Sequence, residues 1–220
     1  MRFKDRKDAG RHLAQALLPY RHENPLVLAI PRGGTEVGFE VAKTLDADFD
    51  LLIARKLPFP DNPESGFGAI AEDGSVYIIP YYADLLDSDL VARIVAYQKG
   101  EIERRVRTLR GGRPITPVTG RTVILVDDGI AMGSTMHAAI AFCQHQGAAK
   151  IVVAAPVGSP RVKEELEEIV DDVVILSTPP WFRAVAEAYE NWYDVSDEEV
   201  LEIMARWKES GTHLKHPYRR

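Results

Sequence analysis

The chain has 220 residues, 45% of them apolar, and a formal net charge of −6. That length buries roughly 70% of the unfolded surface, so a core forms without disulfide or metal, and one domain with an appended piece is the expected organisation. The acidic balance excludes a duplex-wrapping protein, and no apolar run approaches the ~20 residues of a membrane span.

In chain order, a helix is expected over 6–20, a buried strand at "PLVLAI" (25–30), a helix over 34–45 and a strand at "FDLLIA" (49–54). "LPFPDNPESG" (57–66) carries three prolines, cannot be helix and reads as a long mobile loop. Asp73-Gly74 marks a tight hairpin turn. A helix over 87–110, a strand at 122–127, a helix over 134–146, a strand at 150–157, a helix over 160–169 and a strand at 172–177 follow. Helices over 181–190 and 197–209 end the pattern. The strand runs are continuous rather than alternating, as in a parallel sheet covered on both faces. The expected fold class is therefore α/β: a doubly wound, mainly parallel sheet with helices on both faces, a small antiparallel hairpin excursion and C-terminal helices. Residues 1–220 read as a single domain, with 57–80 a mobile lid and hairpin and 178–210 a C-terminal helical cap. The tail from Gly211 reads as frayed and basic. "MRFKDRKDAG" lacks a signal-peptide core, and the lone Cys143, in an apolar helical run, reads as an inert core thiol, so a soluble cytoplasmic protein is expected.

The stretch "VILVDDGIAMGST" (123–135) sets two aspartates at the end of a buried strand, where like charges repel. A loop of small residues and two hydroxyls then leads into a helix. In an open α/β sheet ligands collect at such strand ends, and a helix N-terminus with free N–H groups suits an anion. The loop fits a phosphate, and Asp127 and Asp128 suit the vicinal hydroxyls of a ribose attached to it; a bland reading makes Asp128 or Ser134 a helix cap. "LAIPRGGTEVG" repeats the arrangement, with Arg32, Gly33 and Gly34 between strand and helix. Arg55 and Lys56 end a third strand and add cations. A ribose with phosphate at one end and pyrophosphate at the other satisfies all three loops.

"VILVDDGIAMGST" resembles the donor-binding signature of the type I phosphoribosyltransferases. The wider pattern of "PRGG", "ARKL", "NPESGFGAIAEDG", "PVGSP" and "NWYDVSDEEV" is similar to a predicted, poorly characterised group of that family over nearly the whole chain. The resemblance implies transfer of a 5-phosphoribosyl group from 5-phosphoribosyl-1-pyrophosphate to a nitrogen acceptor. It implies ribose hydroxyls on Asp127 and Asp128, and 5-phosphate on Ile130, Ala131, Met132, Gly133, Ser134 and Thr135. Pyrophosphate goes to Arg32, Gly33, Gly34, Arg55 and Lys56, Lys56 also counting with the aspartates as catalytic. Mg²⁺ comes with the substrate, without protein ligands. Two departures stand out: Met132 replaces a common Thr, removing a hydroxyl donor, and Ala131 replaces the Asp of enzymes acting on 6-oxopurines.

Trp181 and Phe182 either stack on a flat acceptor or anchor the C-terminal helices. The arginines of "EIERRVRTLRGGR" (101–113) read as a solvated helix face, with pyrophosphate or a second subunit as the sharper reading. "ITPVTGRT" and "GFGAIA" imitate nucleotide motifs without their strand and helix context, and His137 and His145 lack metal-ligand spacing. No nucleic-acid or membrane partner is expected, and a homo-oligomer stays open. Two rivals remain: a regulator that binds the same donor without turning it over, and a hydrolase or isomerase of another phosphorylated sugar.

Overall fold

Continuous apolar strands must be covered on both faces, and that requirement builds the central layer. In the computed structural model, which describes residues 1–210, five strands form one parallel sheet. They are β1 (Leu26–Ala29), β2 (Asp48–Leu51), β6 (Thr122–Val126), β7 (Lys150–Val157) and β8 (Asp172–Ser177), in the order β2-β1-β6-β7-β8. Alternate residues feed two cores. Val27, Ala29, Ile124 and Val126 face the side covered by α1 (Arg6–Ala16), α2 (Gly34–Leu45) and α7 (Asp197–Glu209). Leu26, Leu28, Val123 and Leu125 face α5 (Ser134–His145) and α6 (Pro160–Glu167). The doubly wound α/β expectation is met.

The chain reverses its direction of sheet growth between β1 and β6, which pair in register at Ala29 and Val126. From there α2 leaves toward one face and α5 toward the other. Their connecting loops diverge and open a crevice at the strand ends, where such sheets bind ligands.

A second sheet, β3-β4-β5, is antiparallel and consists of β3 (Ala54–Phe59), β4 (Asn62–Ala71) and β5 (Val76–Ile78). It packs between α5 and α4 (Ser88–Arg110). This corrects two expectations. The run 49–54 is not one strand: β2 ends at Leu51 and the chain crosses into the second sheet. Residues 57–66 are not a loop but the β3–β4 hairpin, with Phe59 opposite Asn62. Its prolines are tolerated because the register slips between Leu57 and Pro58 and again before Phe59, as bulged pairing permits. The expected turn at Asp73-Gly74 is present, Gly74 having φ 91° and its N–H reaching Ala71 O at 2.9 Å.

Helix 181–190 is also absent. Only one 3₁₀ turn, Val185–Ala188, forms there, because Phe3 captures the following backbone in a parallel bridge. Phe3 N donates to Ala188 O at 2.7 Å, and Glu190 N donates to Phe3 O at 2.8 Å. The first helix stops at Ala16 rather than at 20, and a 3₁₀ turn containing Pro19 follows. A short α3 (Pro80–Ala83) precedes α4 and was not expected. α7 starts on a capping box of Ser196 and Glu199, and Trp207 packs its edge against Phe39 and Phe49. The solvated-face reading of the α4 arginines fails at Arg110, which is buried and bonds Leu51 O at 3.0 Å as well as the Glu72 carboxylate. Burial pushes the Cys143 thiol up to about 12, in keeping with an inert thiol. Among the described residues no helix is long and apolar enough to cross a membrane.

Candidate functional site

β6 ends at Val126, and of the next two residues Asp127 lines the crevice cavity, whereas Asp128 does not line it and its carboxylate is held by Arg6 behind it. Asp128 N donates to Asp127 Oδ1 at 2.8 Å, and the two carboxyls also hydrogen-bond side chain to side chain. Burial, and then the charge of Asp128, push the Asp127 carboxyl well above its usual range. Burial also pushes Asp128 up, but the guanidinium of Arg6, 2.8 Å from its Oδ2, opposes that shift. Two carboxyls crowded at a strand end are an unfavourable arrangement when both are charged, which a cation or a set of hydroxyl donors would relieve.

Ahead of the carboxylates, Asp127 and Gly129 to Met136 line a cavity of about 230 Å³, with Lys56 as its far wall. Gly133, at φ 74°, turns the chain into α5, and no side chain caps that helix. Its first N–H groups are therefore left for a ligand, and the capping role considered for Asp128 or Ser134 is not taken up. Ile130, Ala131, Met132, Gly133, Ser134 and Thr135 all line this one cavity, as the sequence suggested. The Met132 side chain is 68% exposed.

The β1–α2 loop abuts the same carboxylates. A Cβ on Gly33 would stand 1.9 Å from Asp128 Oδ2, and one on Gly34 would stand 2.8 Å from Val126 O, so only glycine permits this approach. The Pro31–Arg32 peptide is cis. Arg32 leans on Asp197 at the start of α7, Nη1 to Oδ1 3.6 Å. Arg55 and Lys56 do not sit at the parallel sheet's edge but on β3, where Arg55 Nε donates to Gln98 at 3.1 Å. Arg105 of α4 lies near Arg55 and Arg32; burial and then their two charges lower its guanidinium pKa. One α4 arginine thus joins Arg32 and Arg55 in a cationic cluster.

A second cavity of about 420 Å³ adjoins the first through Lys56, Met132 and Ser134 and adds Phe59 and Tyr82. Trp181 and Phe182 are elsewhere. They line a 170 Å³ cavity with Met1, Val157 and Pro179 that shares no lining residue with the other two. Trp181 is 87% exposed and anchors nothing, whereas Phe182 packs beside Phe3 and Tyr189. Sequence reasoning missed Arg6 and Tyr189, whose signals were an ordinary helix start and an unremarkable aromatic, and it did not separate Arg105 from the other arginines of its helix. The imitated motifs resolve structurally: Gly68 lets β4 approach Tyr77 O of β5, and Arg121 pairs with Asp48 at 2.7 Å.

Residues 3–191 match the phosphoribosyl transferase domain family. The chain belongs to that family. Two Mycobacterium tuberculosis proteins provisionally named phosphoribosyl transferases are 42% identical to it over 206 residues, or 93% of this chain. The chain spans 46% of their length. The crystal structure of TT1426 from Thermus thermophilus superposes with a TM-score of 0.80 at 40% identity, covering 94% of this chain and 99% of that one. The phosphoribosyl transferase domain thus has its carboxylate pair, uncapped helix and double glycine around one crevice, and no cluster of three metal-ligating side chains occurs among the described residues.

Proposed function

We propose that this protein transfers the 5-phosphoribosyl group of 5-phosphoribosyl-1-pyrophosphate to a nitrogen acceptor, releasing pyrophosphate with inversion at the anomeric carbon. The observation that carries this reading is the meeting of Asp127, the uncapped start of α5 and Lys56 around one 230 Å³ cavity. The 5-phosphate goes on Ile130 to Thr135, ribose hydroxyls on Asp127 and Asp128, and pyrophosphate against Arg32, Gly33, Gly34, Arg55 and Lys56. Catalysis comes from fixed charges facing an oxocarbenium-like sugar and a departing pyrophosphate, with water excluded, and needs no covalent nucleophile. The donor set fits Mg²⁺ arriving with the donor: that ion takes oxygen ligands, commonly one or two carboxylates beside substrate phosphates, and the crowded aspartates favour a neighbouring cation. Bound there, it screens the pyrophosphate charge.

The β3–β4 hairpin takes the lid role read from 57–66, since Phe59, Asn62 and Gly66 wall the adjoining cavity; residues 178–210 cap the other side. Tyr82, which walls the cavity adjoining the donor site, is the proposed stacking surface for a flat acceptor, a nucleobase or related heterocycle; Trp181 and Phe182, read from the sequence as that surface, line a separate cavity and do not take the role. Pyrophosphate release from protein, Mg²⁺ and donor across a panel of purines, pyrimidines and small amines tests the reading. Release with one acceptor fixes class and substrate together. Donor binding without release from any acceptor supports a regulator instead.

A further inference from the structure

Arginine is costly to bury, and Arg6 is buried, its side chain 7% exposed. It opens α1, far in sequence from the crevice. Its Nε donates to Asp128 Oδ2 at 2.8 Å and one terminal nitrogen donates to Tyr193 O at 2.9 Å. The guanidinium carbon lies 4.0 Å from the centre of the Trp192 ring. Behind the carboxylate, the Tyr189 hydroxyl donates to the Asp128 carbonyl at 2.6 Å, and the Phe3–Tyr189 bridge holds that segment against the start of the chain. The N-terminus and residues 189–193 therefore clamp one aspartate from two sides.

The clamp acts where the donor loops converge. The oxygen that Arg6 holds is the one that leaves no room for a Cβ on Gly33. Arg6 does not line the 230 Å³ cavity; it lines a separate space of about 490 Å³ among residues of α1, α2 and α7. Any influence on a bound donor must pass through Asp128. A planar, permanently charged fork stacked on an indole suits this task, since it fixes both the charge beside the carboxylate and the plane in which that carboxylate lies.

We propose that Arg6 is a positioning residue for donor binding, holding the Asp128 carboxylate in the orientation that receives the ribose; this rests on the donor reading given above. Removing it leaves the buried Asp128 carboxylate without its cation and with Asp127 as its remaining side-chain partner.

The test is titration calorimetry with 5-phosphoribosyl-1-pyrophosphate and Mg²⁺, alongside melting curves, on wild type, Arg6→Gln, Arg6→Lys, Asp128→Asn and the Arg6→Gln/Asp128→Asn double variant. Arg6→Gln is expected to weaken donor binding by roughly ten- to a hundredfold, the worth of one charged hydrogen bond. Arg6→Lys, which keeps the charge but not the fork, loses less and serves if the Gln variant does not fold. The double variant binds no more weakly than Asp128→Asn alone, because both changes remove one shared effect. A folded Arg6→Gln protein with wild-type donor affinity, or losses that simply add in the double variant, overturns the proposal and leaves the donor reading standing. A wild type that fails to bind the donor with Mg²⁺ overturns both.

Discussion

Two of the places where the described residues bury a carboxylate against arginine are completed differently. Where β2 crosses into the second sheet, Glu72 receives Arg110 and the Ile53 N–H, and Asp50 receives Thr116 N at 2.9 Å, Thr116 Oγ1 at 2.7 Å and Leu51 N. Every oxygen of those two carboxylates has an internal partner. At the crevice, Arg6 ion-pairs with Asp128 alone of the two aspartates, and among the described residues Asp127 makes no ion pair. A buried charge satisfied on all sides serves the fold. A pair left in mutual repulsion beside a cavity serves what enters it.

The largest effect should fall on the completed network. Glu72→Gln leaves Arg110 buried with its charge uncompensated and should cost about 3–5 kcal/mol in denaturant unfolding, as breaking one side of a buried pair does. The donor-induced rise in melting temperature should persist in whatever fraction folds. If Glu72→Gln abolishes donor binding without changing stability, the division between the two networks is lost.

The crevice pair should show the reverse. Asp127→Asn and Asp128→Asn together should lower donor affinity at least about a hundredfold, each charge-assisted bond contributing ~1.5–3 kcal/mol. Their stabilities should separate, which sequence alone gave no reason to expect. Asp128→Asn strands Arg6 and should melt lower than wild type, while Asp127→Asn removes only repulsion and should melt at or above it. Equal losses from both would show that the pair holds the fold as Glu72 does.

A smaller effect concerns pH. The folded Asp127 carboxyl titrates above its unfolded value, so the fold favours its protonated form. That contribution is present at low pH and lost as pH rises through the raised pKa. In melting curves without donor, the advantage of Asp127→Asn should be near zero at about pH 4, the ordinary carboxylate value, and grow toward neutrality. A constant advantage at every pH would mean that Asp127 is ionised throughout.

The two smallest effects test exposed residues, Met132 at the crevice and Trp181 away from it. Met132→Thr places a hydroxyl beside the phosphate loop and should tighten donor binding by about 1 kcal/mol, with no change in melting. Trp181→Ala should shift stability by less than about 0.5 kcal/mol, as exposed substitutions do. The KM for a flat acceptor should be unchanged, because Trp181 lines a cavity apart from the donor loops; a roughly tenfold rise, the worth of a lost stack at ~1–3 kcal/mol, would bring the acceptor to it after all.

Much of this protein follows from local pattern. Continuous runs such as "KIVVAAPV" can only be satisfied between two covered faces, so the parallel sheet and its alternating helices were legible. So was the crevice loop, because two aspartates, two glycines and two hydroxyls next to one another carry their chemistry within thirteen residues. What the tertiary structure alone decided involves partners distant in sequence. Pro58 and Pro60 read as loop because the bulged register that accommodates them depends on β4. Residues 181–190 kept a helical pattern, but Phe3, at the other end of the chain, took their backbone into a bridge. Arg110 read as a solvated helix charge and Arg6 drew no reading at all, and burial turned one into the partner of Glu72 and the other into the partner of Asp128. Periodicity records which side of an element is apolar. It does not record which distant charge will be enclosed with which, because that is settled only when the layers pack and water is excluded between them.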